Sequence, residues 1–498
     1  MDILARIENI VQNHGKRPVQ FFDDSVLTYE ELWKKSDQLA RHFLKIRNDR
    51  KPVLVLGNKT KDIVISFLAA TKAGKAYIPV DEVMPGERIR HMIAAAKPSI
   101  LVNTLGQRDA QSLAEDMAII DFNRLQSIYE DSSSEPFSLE SQVKKDEVYY
   151  ILFTSGSTGI PKGVQILRSN LEDFLDWTVP THSYESFPHI FLNQAPFSFD
   201  LSVYELYNAL VSGGSFVSLT NDHIRDLKRL FEAIYKHCLN LNVWVSTPSF
   251  LLLCLKDSNF TGATFPALKH FIIIGEAFPK NLAKDLLEKF PNTIIYNLYG
   301  PTEATVATTE YEITAESLIK YDLIPIGYSK PRSQILIQNG EIVICGPNVG
   351  PGYVNNREKT DKVFFNINGM PAYRTGDKGF VNEEGLIFCE GRLDLQIKLN
   401  GYRIELGEIE NNLDRIEFIK SSCVIPKVEN GKIQWICGFL VLDDKEKARN
   451  VMQLRKELKT LLLQHLPAYM IPKQFICLDS LPFTNNGKID RKLLGTMI

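Results

Sequence analysis

Hydrophobic and polar positions along this chain alternate between the helical and the strand period. The opening Met1-Asp2-Ile3-Leu4-Ala5-Arg6-Ile7 has the spacing of an amphipathic helix start. Thr28-Tyr29-Glu30-Glu31 sets a hydroxyl three residues ahead of a carboxylate, a capping box, and an amphipathic stretch follows through Leu44. Val53-Leu54-Val55-Leu56-Gly57 reads as a buried strand ending in a turn, Ile63 to Ala73 as helix, and Ala76-Tyr77-Ile78-Pro79-Val80 as strand again. Such alternation predicts an α/β fold with a parallel sheet. Asp131-Ser132-Ser133-Ser134-Glu135-Pro136 reads as a polar surface loop. The pattern resumes at Glu147-Val148-Tyr149-Tyr150-Ile151-Leu152-Phe153 and runs to about Asn297.

Beyond about Leu323 the rhythm changes. Gln334 to Ile344 holds two strand-like runs around Asn339-Gly340, the strongest short-range hairpin signal. A β-rich subdomain is therefore expected over about 325–391. The rest mixes short strands with a helix-like stretch from Val451 to Leu466. The expected organisation is a large N-terminal domain of αβ layers, 1–393, and a small, mobile α+β C-terminal domain, 394–498. No internal repeat or low-complexity tract interrupts it.

At 498 residues the chain exceeds what one core of usual size requires, consistent with two domains. Lys and Arg number 57 against 60 Asp and Glu, a net charge of -3 that argues against a nucleic-acid partner. The N-terminus carries no secretory signal pattern, and no apolar run approaches the roughly 20 residues of a membrane span. A cytoplasmic protein without membrane insertion is expected. The scattered cysteines never form C-x-x-C and read as buried free thiols in a reducing compartment.

The most informative string is Phe153-Thr154-Ser155-Gly156-Ser157-Thr158-Gly159-Ile160-Pro161-Lys162-Gly163-Val164. It follows an apolar strand and packs glycines, hydroxyls and one lysine into a short loop. Glycines let backbone N–H groups approach an anion, and the hydroxyls and lysine add donors and charge. Lys162 is followed by Gly163, so this is not the common P-loop. The bland alternative, a flexible Gly/Ser loop, does not account for the whole string.

With this loop the sequence resembles the adenylate-forming superfamily of acyl-CoA synthetases, luciferases and nonribosomal peptide synthetase adenylation domains. The resemblance spans nearly the whole chain through motifs in the expected order: Lys72 to Asp81, the loop itself, Asn297-Leu298-Tyr299-Gly300-Pro301-Thr302-Glu303, Tyr373-Arg374-Thr375-Gly376-Asp377, Gly391-Arg392-Leu393-Asp394 and Asn486-Gly487-Lys488-Ile489-Asp490. It implies ATP and Mg2+ as cofactors. Making an acyl adenylate sets one anion against another, so the site must neutralise charge and hold the reactants in line.

By resemblance, Thr154, Ser155, Gly156 and Lys162 contact the nucleotide phosphates, and Glu276, Asn297, Leu298, Tyr299, Gly300 and Pro301 complete the ATP site. Thr302 contacts the α-phosphate, Glu303 holds Mg2+, and Asp377 accepts the ribose hydroxyls with Arg392 beside it. Lys488 reaches between substrate carboxylate and phosphate. Asp394 is the hinge of the C-terminal domain, and Gly401 and Arg403 belong to the segment that opens a pantetheine tunnel.

Asn193-Gln194-Ala195-Pro196-Phe197-Ser198-Phe199-Asp200 sets an acid among apolar residues. Read alone, Asp200 is a substrate ligand or a helix cap. By resemblance it pairs with the α-ammonium of an amino acid. Leu201, Tyr204, Ile272, Ile274, Leu298, Val306 and Ala307 line the side-chain pocket, with Lys488 at the carboxylate. Within the superfamily the chain is most similar to D-alanine–carrier protein ligases, which implies a small amino acid and a phosphopantetheinylated carrier protein as partners. That the chain ends at the lysine motif, without a carrier domain, fits a freestanding ligase. Ile274 stands where those ligases typically have cysteine, which leaves L-alanine, glycine, serine or proline as alternatives to D-alanine. An acyl- or aryl-CoA ligase is disfavoured by Asp200, and a silent scaffold by the retained Lys162, Glu303, Asp377, Arg392 and Lys488.

Overall fold

In the computed structural model, Thr28 closes the capping box expected of it. Its hydroxyl accepts the Glu31 N–H at 3.2 Å, while the Glu31 carboxylate accepts the Thr28 N–H at 3.0 Å. The helix it opens runs from Tyr29 to Ile46. The structure describes residues 2–106, 110–113, 116–131, 137–156, 161–429, 432–446, 450–484 and 489–498. Most of the polar stretch expected after Asp131 lies outside them, as does Lys488.

The chain divides into two compact units. One comprises 1–82, 95–152 and 163–391; the other joins 392–498 to the short segments 83–94 and 153–162. In the first unit, Val53–Gly57 pairs in parallel with Tyr77–Asp81 and with Ile100–Asn103. Uniformly apolar runs suit strands covered on both faces, and every residue of Val53–Gly57 is buried.

A second sheet positions the site. Ile190–Asn193, Val243–Ser246, His270–Ile273 and Ile294–Tyr299 lie side by side in parallel, in that order. Their carboxyl ends therefore leave the sheet along one edge, where ligands of open α/β sheets characteristically bind. The loops that follow carry Asp200, Ile274 with Glu276, and Gly300 to Glu303.

The expected hairpin forms. Gln334–Gln338 pairs with Glu341–Cys345, and Asn339 and Gly340 take φ of 53° and 79°, the left-handed pair of a tight turn. Met370–Val381, Phe364–Ile367 and Ile387–Arg392 complete this small sheet.

The second unit has its own core, in which Ile404, Ile409, Leu413, Val424 and Leu458 are fully buried. A hairpin, Gln396–Leu399 with Tyr402–Glu405, precedes helix Leu406–Leu413. Ile419–Glu429, Lys432–Leu442 and Gln474–Cys477 form a three-stranded sheet, and helix Val451–Leu462 ends a turn short of the expected Leu466. All seven cysteines are free, but the expectation of burial needs correcting: Cys238 and Cys389 are only partly covered and Cys477 is exposed. Cys477 is the last residue of a short strand in which only Phe475 is buried, so its exposure follows from its place at the strand's end rather than from its apolar neighbours. No helix among the described residues is long and apolar enough to cross a membrane.

Candidate functional site

Asp200 precedes helix Leu201–Ser212 with helical backbone angles and makes no capping hydrogen bond, so the helix-cap reading fails. Its Oδ2 instead accepts the Thr302 hydroxyl at 2.7 Å. That bond joins the loop after Asn193 to the loop after Tyr299. The carboxylate is only half-buried, a position that suits an exchangeable cation better than a sealed ion pair.

Leu201, Tyr204, Ile272, Ile274, Leu298, Val306 and Ala307, the residues that the resemblance assigns to the pocket wall, all belong to the large buried core of the first unit, with none more than 7% exposed. The Tyr204 hydroxyl lies 3.1 Å from that of Tyr184, so its polar tip already has a partner. Burial raises the Tyr204 pKa far above the ordinary phenol value and keeps it neutral. A wall of this kind offers no counter-charge to a charged side chain.

The loop after Tyr299 is held under strain. A Cβ on Gly300 would stand 2.6 Å from Ala307 Cα and 2.8 Å from the Val306 carbonyl oxygen, so only glycine fits. Thr305 and Val306 adopt φ of 55° and 66°, unfavourable for branched side chains and a mark of functional loops. Asn348, fully buried, braces this turn by donating to the Ala304 carbonyl and the Thr308 hydroxyl, both at 2.9 Å.

The nucleotide residues of the first unit are also joined. The Tyr299 hydroxyl donates to Asp377 Oδ2 at 2.6 Å. Burial, and then the Asp377 charge, push the Tyr299 pKa well up, so it remains a donor. Asp377 in turn sits on a backbone pinned by the Thr375 hydroxyl, which accepts the Asp377 N–H at 3.0 Å and donates to the Ile342 carbonyl at 2.6 Å. Glu303 is fully buried, and its Oε1 accepts the Tyr353 hydroxyl at 2.9 Å. Asn297 donates to the Pro325 carbonyl at 2.8 Å, and Glu276 accepts the Ser249 N–H at 2.9 Å at the start of helix Pro248–Cys254. The bonds found for this last pair brace loops.

In the second unit the phosphate-type loop is met by its own chain. Ser155 donates to the Arg403 carbonyl at 2.8 Å, and the Gly156 N–H donates to Glu408 Oε2 at 3.1 Å. Lys162 Nζ lies 3.6 Å from Glu405 Oε1, and Arg88 forms a buried ion pair with Glu408. The Thr154 hydroxyl oxygen is buried and makes no hydrogen bond among the described residues. Arg392 clamps Asp394 through two bonds, 2.9 and 2.6 Å. Burial works to raise the Asp394 pKa, but Arg392 outweighs it and the carboxyl is held below its ordinary range. Gly401, φ 83°, with Asn400 at 52°, closes the hairpin that carries Arg403, whose Nε donates to Gln396 Oε1 at 2.8 Å.

Sequence reasoning missed Tyr353, Asn348, Arg88 and Glu408. Each is a polar residue whose partner lies far along the chain, and local pattern carries no trace of that burial. No group of three or more His, Cys, Asp or Glu among the described residues could hold a metal by itself.

Residues 7–354 match the family model described as AMP-binding enzyme, and 408–488 match the AMP-binding enzyme C-terminal domain. The D-alanine--D-alanyl carrier protein ligase of Listeria monocytogenes serotype 4b is 41% identical, over 100% of this chain and 99% of that one. The ligase of the same name from Bacillus licheniformis is 41% identical, over 99% of each. Among solved structures, the Vibrio cholerae adenylation domain AlmE, in complex with glycyl-adenosine-5'-phosphate, superposes with a TM-score of 0.83 at 23% identity, covering 100% of this chain and 97% of that one. Family motifs in order, site loops along one sheet edge and full-length relatives thus agree, and the chain belongs to the ATP-using AMP-binding enzyme family.

Proposed function

We propose that the protein activates D-alanine with ATP, releasing pyrophosphate, and then transfers the D-alanyl group to the phosphopantetheine thiol of a carrier protein. The observation that carries this reading is Asp200: an acid that caps no helix, bonded to Thr302 and set beside an uncharged apolar wall. Two full-length relatives with the same named activity support the choice of substrate.

In this reading Asp200 receives the α-ammonium, and the wall from Leu201 to Ala307 admits a methyl side chain. Thr302 stands between Asp200 and the α-phosphate, so amine recognition and phosphate placement share one hydroxyl. The substrate carboxylate attacks the α-phosphorus and pyrophosphate leaves. Lys488 offsets the charge that gathers there, and Tyr299 with Asp377 holds the nucleoside. Thr154, Ser155, Gly156 and Lys162 supply the triphosphate donors. The unbonded Thr154 hydroxyl fits an anion oxygen.

Mg2+ keeps most of its shell from water and phosphate oxygens and asks little of the protein. The buried Glu303 carboxylate, oriented by Tyr353, is a hard oxygen ligand of the kind it requires. When bound, the ion neutralises phosphate charge. For the second step we assign 394–498 as a domain that turns about Asp394, with Gly401 and Arg403 facing the carrier's pantetheine arm. The thiol attacks the acyl carbon, the thioester forms and AMP departs.

The test is amino-acid-dependent exchange of labelled pyrophosphate into ATP over a panel of amino and aryl acids, followed by thioester formation on a phosphopantetheinylated carrier. D-Alanine should give the highest kcat/KM. Preference for phenylalanine, lysine, glutamate or an aryl acid would overturn the reading. Ile274 favours one narrower alternative, that the D-over-L preference is relaxed and glycine or L-alanine is also accepted.

A further inference from the structure

Lys59 belongs to no motif considered above. It lies between strand Val53–Gly57 and helix Lys61–Lys72 and is 5% exposed. Its ammonium donates to the carbonyls of Asn193, at 2.9 Å, and Gln194, at 2.5 Å. These are the residues at which the chain leaves strand Ile190–Asn193 for the loop that ends at Asp200.

The far end of that loop is tied to the same point. Asn193 Nδ2 donates to Glu205 Oε1 at 2.7 Å, and Glu205 sits on the helix that Asp200 precedes. The Lys59 carbonyl accepts Gln20 Nε2 at 3.0 Å, which also reaches the Ser218 hydroxyl at 3.0 Å. Both ends of the segment 193–200 are thus fastened to one buried polar cluster.

An aliphatic side chain would fill this space without the cost of burying an ammonium. Burial lowers the Lys59 pKa to about 7, while the Glu205 carboxylate counteracts it; burial raises Glu205 to about 8. What the ammonium adds is direction, two strong bonds to consecutive carbonyls. Ser198, midway along the loop, has a hydroxyl without a hydrogen bond among the described residues and lines the same small cavity as Lys59. Within the loop the Phe199 N–H donates to the Pro196 carbonyl at 2.9 Å, and the Lys59 bonds hold its beginning.

We infer that Lys59, clamping the Asn193 and Gln194 carbonyls against the Asn193–Glu205 pair, is a positioning residue that sets the place of the Asp200 carboxylate. This rests on the reading that Asp200 receives the substrate ammonium. The Lys59 ammonium donates to two backbone carbonyls of this loop and in this reading acts through Asp200, so its loss should act on one substrate and spare the other.

The experiment measures amino-acid KM and ATP KM by pyrophosphate exchange in Lys59→Met, in Asp200→Asn and in their combination. Losing two charge-assisted bonds should raise the D-alanine KM about tenfold or more in Lys59→Met, with the ATP KM within about twofold. Combining it with Asp200→Asn should add little, because both changes act on one contact. Where Lys59→Met alone does not fold, Lys59→Met with Glu205→Gln removes both buried charges and is measured instead. Parallel rises in both KM values, an unchanged D-alanine KM, or full additivity with Asp200→Asn would overturn the inference. An unchanged D-alanine KM in Asp200→Asn alone would instead remove the reading of Asp200, a separate failure.

Discussion

Around Asp200 the polar groups are few, its bonded partner Thr302 lies on the neighbouring loop, and the residues assigned to the wall are uncharged and buried. Around Gly156 the N–H, hydroxyl and ammonium of one short loop meet Glu408, the Arg403 carbonyl and Glu405 of the same chain. The first arrangement selects by shape, since moving any wall residue opens a cavity in a core. The second consists of contacts that can be exchanged. A carboxylate oxygen on a backbone N–H resembles a phosphate oxygen in charge and geometry, so a ligand can replace it with little net loss of hydrogen bonds. In the proposed reading selectivity sits on the packed core, and the phosphate-type loop exchanges its present bonds to Glu408, the Arg403 carbonyl and Glu405 for bonds to the nucleotide.

Removing the Lys488 charge should have the largest effect. Lys488→Ala is expected to lower the rate of pyrophosphate exchange by a factor of about 100 to 1,000 or more. ATP binding by calorimetry should stay near wild type, because in the proposed reading Tyr299 and Asp377 hold the nucleoside independently. Wild-type exchange in this variant would break the division of labour.

Next comes the fixed side. Asp200→Asn keeps shape and removes charge, and the D-alanine KM is expected to rise about 30-fold or more, the range for stripping a partner from a partly buried ion pair. The ATP KM should change far less; equal changes would mean that Asp200 belongs to the phosphate machinery.

How much of this was legible beforehand depends on whether a residue's role is local. Thr28 and Glu31 meet within one helical turn, and Asn339-Gly340 closes its hairpin with neighbours only, so composition sufficed for both. The pocket wall is assigned by resemblance alone, because burial in the general core does not distinguish a pocket residue from any other core residue. Lys59 meets Asn193, and Arg88 meets Glu408, across separations of 134 and 320 residues. A charged residue in a polar sequence context looks solvated until the fold supplies its partner. The grouping of 83–94 and 153–162 with 392–498 was invisible for the same reason.

Ile274→Cys tests the wall more finely. A smaller, unbranched side chain should change the D- to L-alanine ratio of kcat/KM by about tenfold or less, the scale of a methylene or two in an apolar pocket. An unchanged ratio would move the stereochemical control elsewhere on the wall.

The smallest expected effect concerns Asp394, the proposed hinge. The Asp394 pKa is depressed in the folded state, so the Arg392 pair contributes stability above the unfolded value of about 3.9 and loses it as pH falls through the lower folded value. The Asp394 side chain is 49% exposed, and solvent screens most of this contribution. The difference in Tm between wild type and Asp394→Asn should therefore be slight at neutral pH, shrink as pH falls below about 3.9 and vanish below the folded value. A difference that grows in acid would contradict the clamp.

Val306 offers a different lever, that of redesign. Valine at a φ of 66° holds a conformation that glycine adopts freely, at a cost of roughly 1–2 kcal/mol. Most pocket-widening changes sacrifice stability in proportion to the volume removed. Val306→Gly would return part of that loss by relieving the backbone, so under the proposed reading of the pocket the loop after Gly300 is a place to admit larger amino acids with limited damage to the fold.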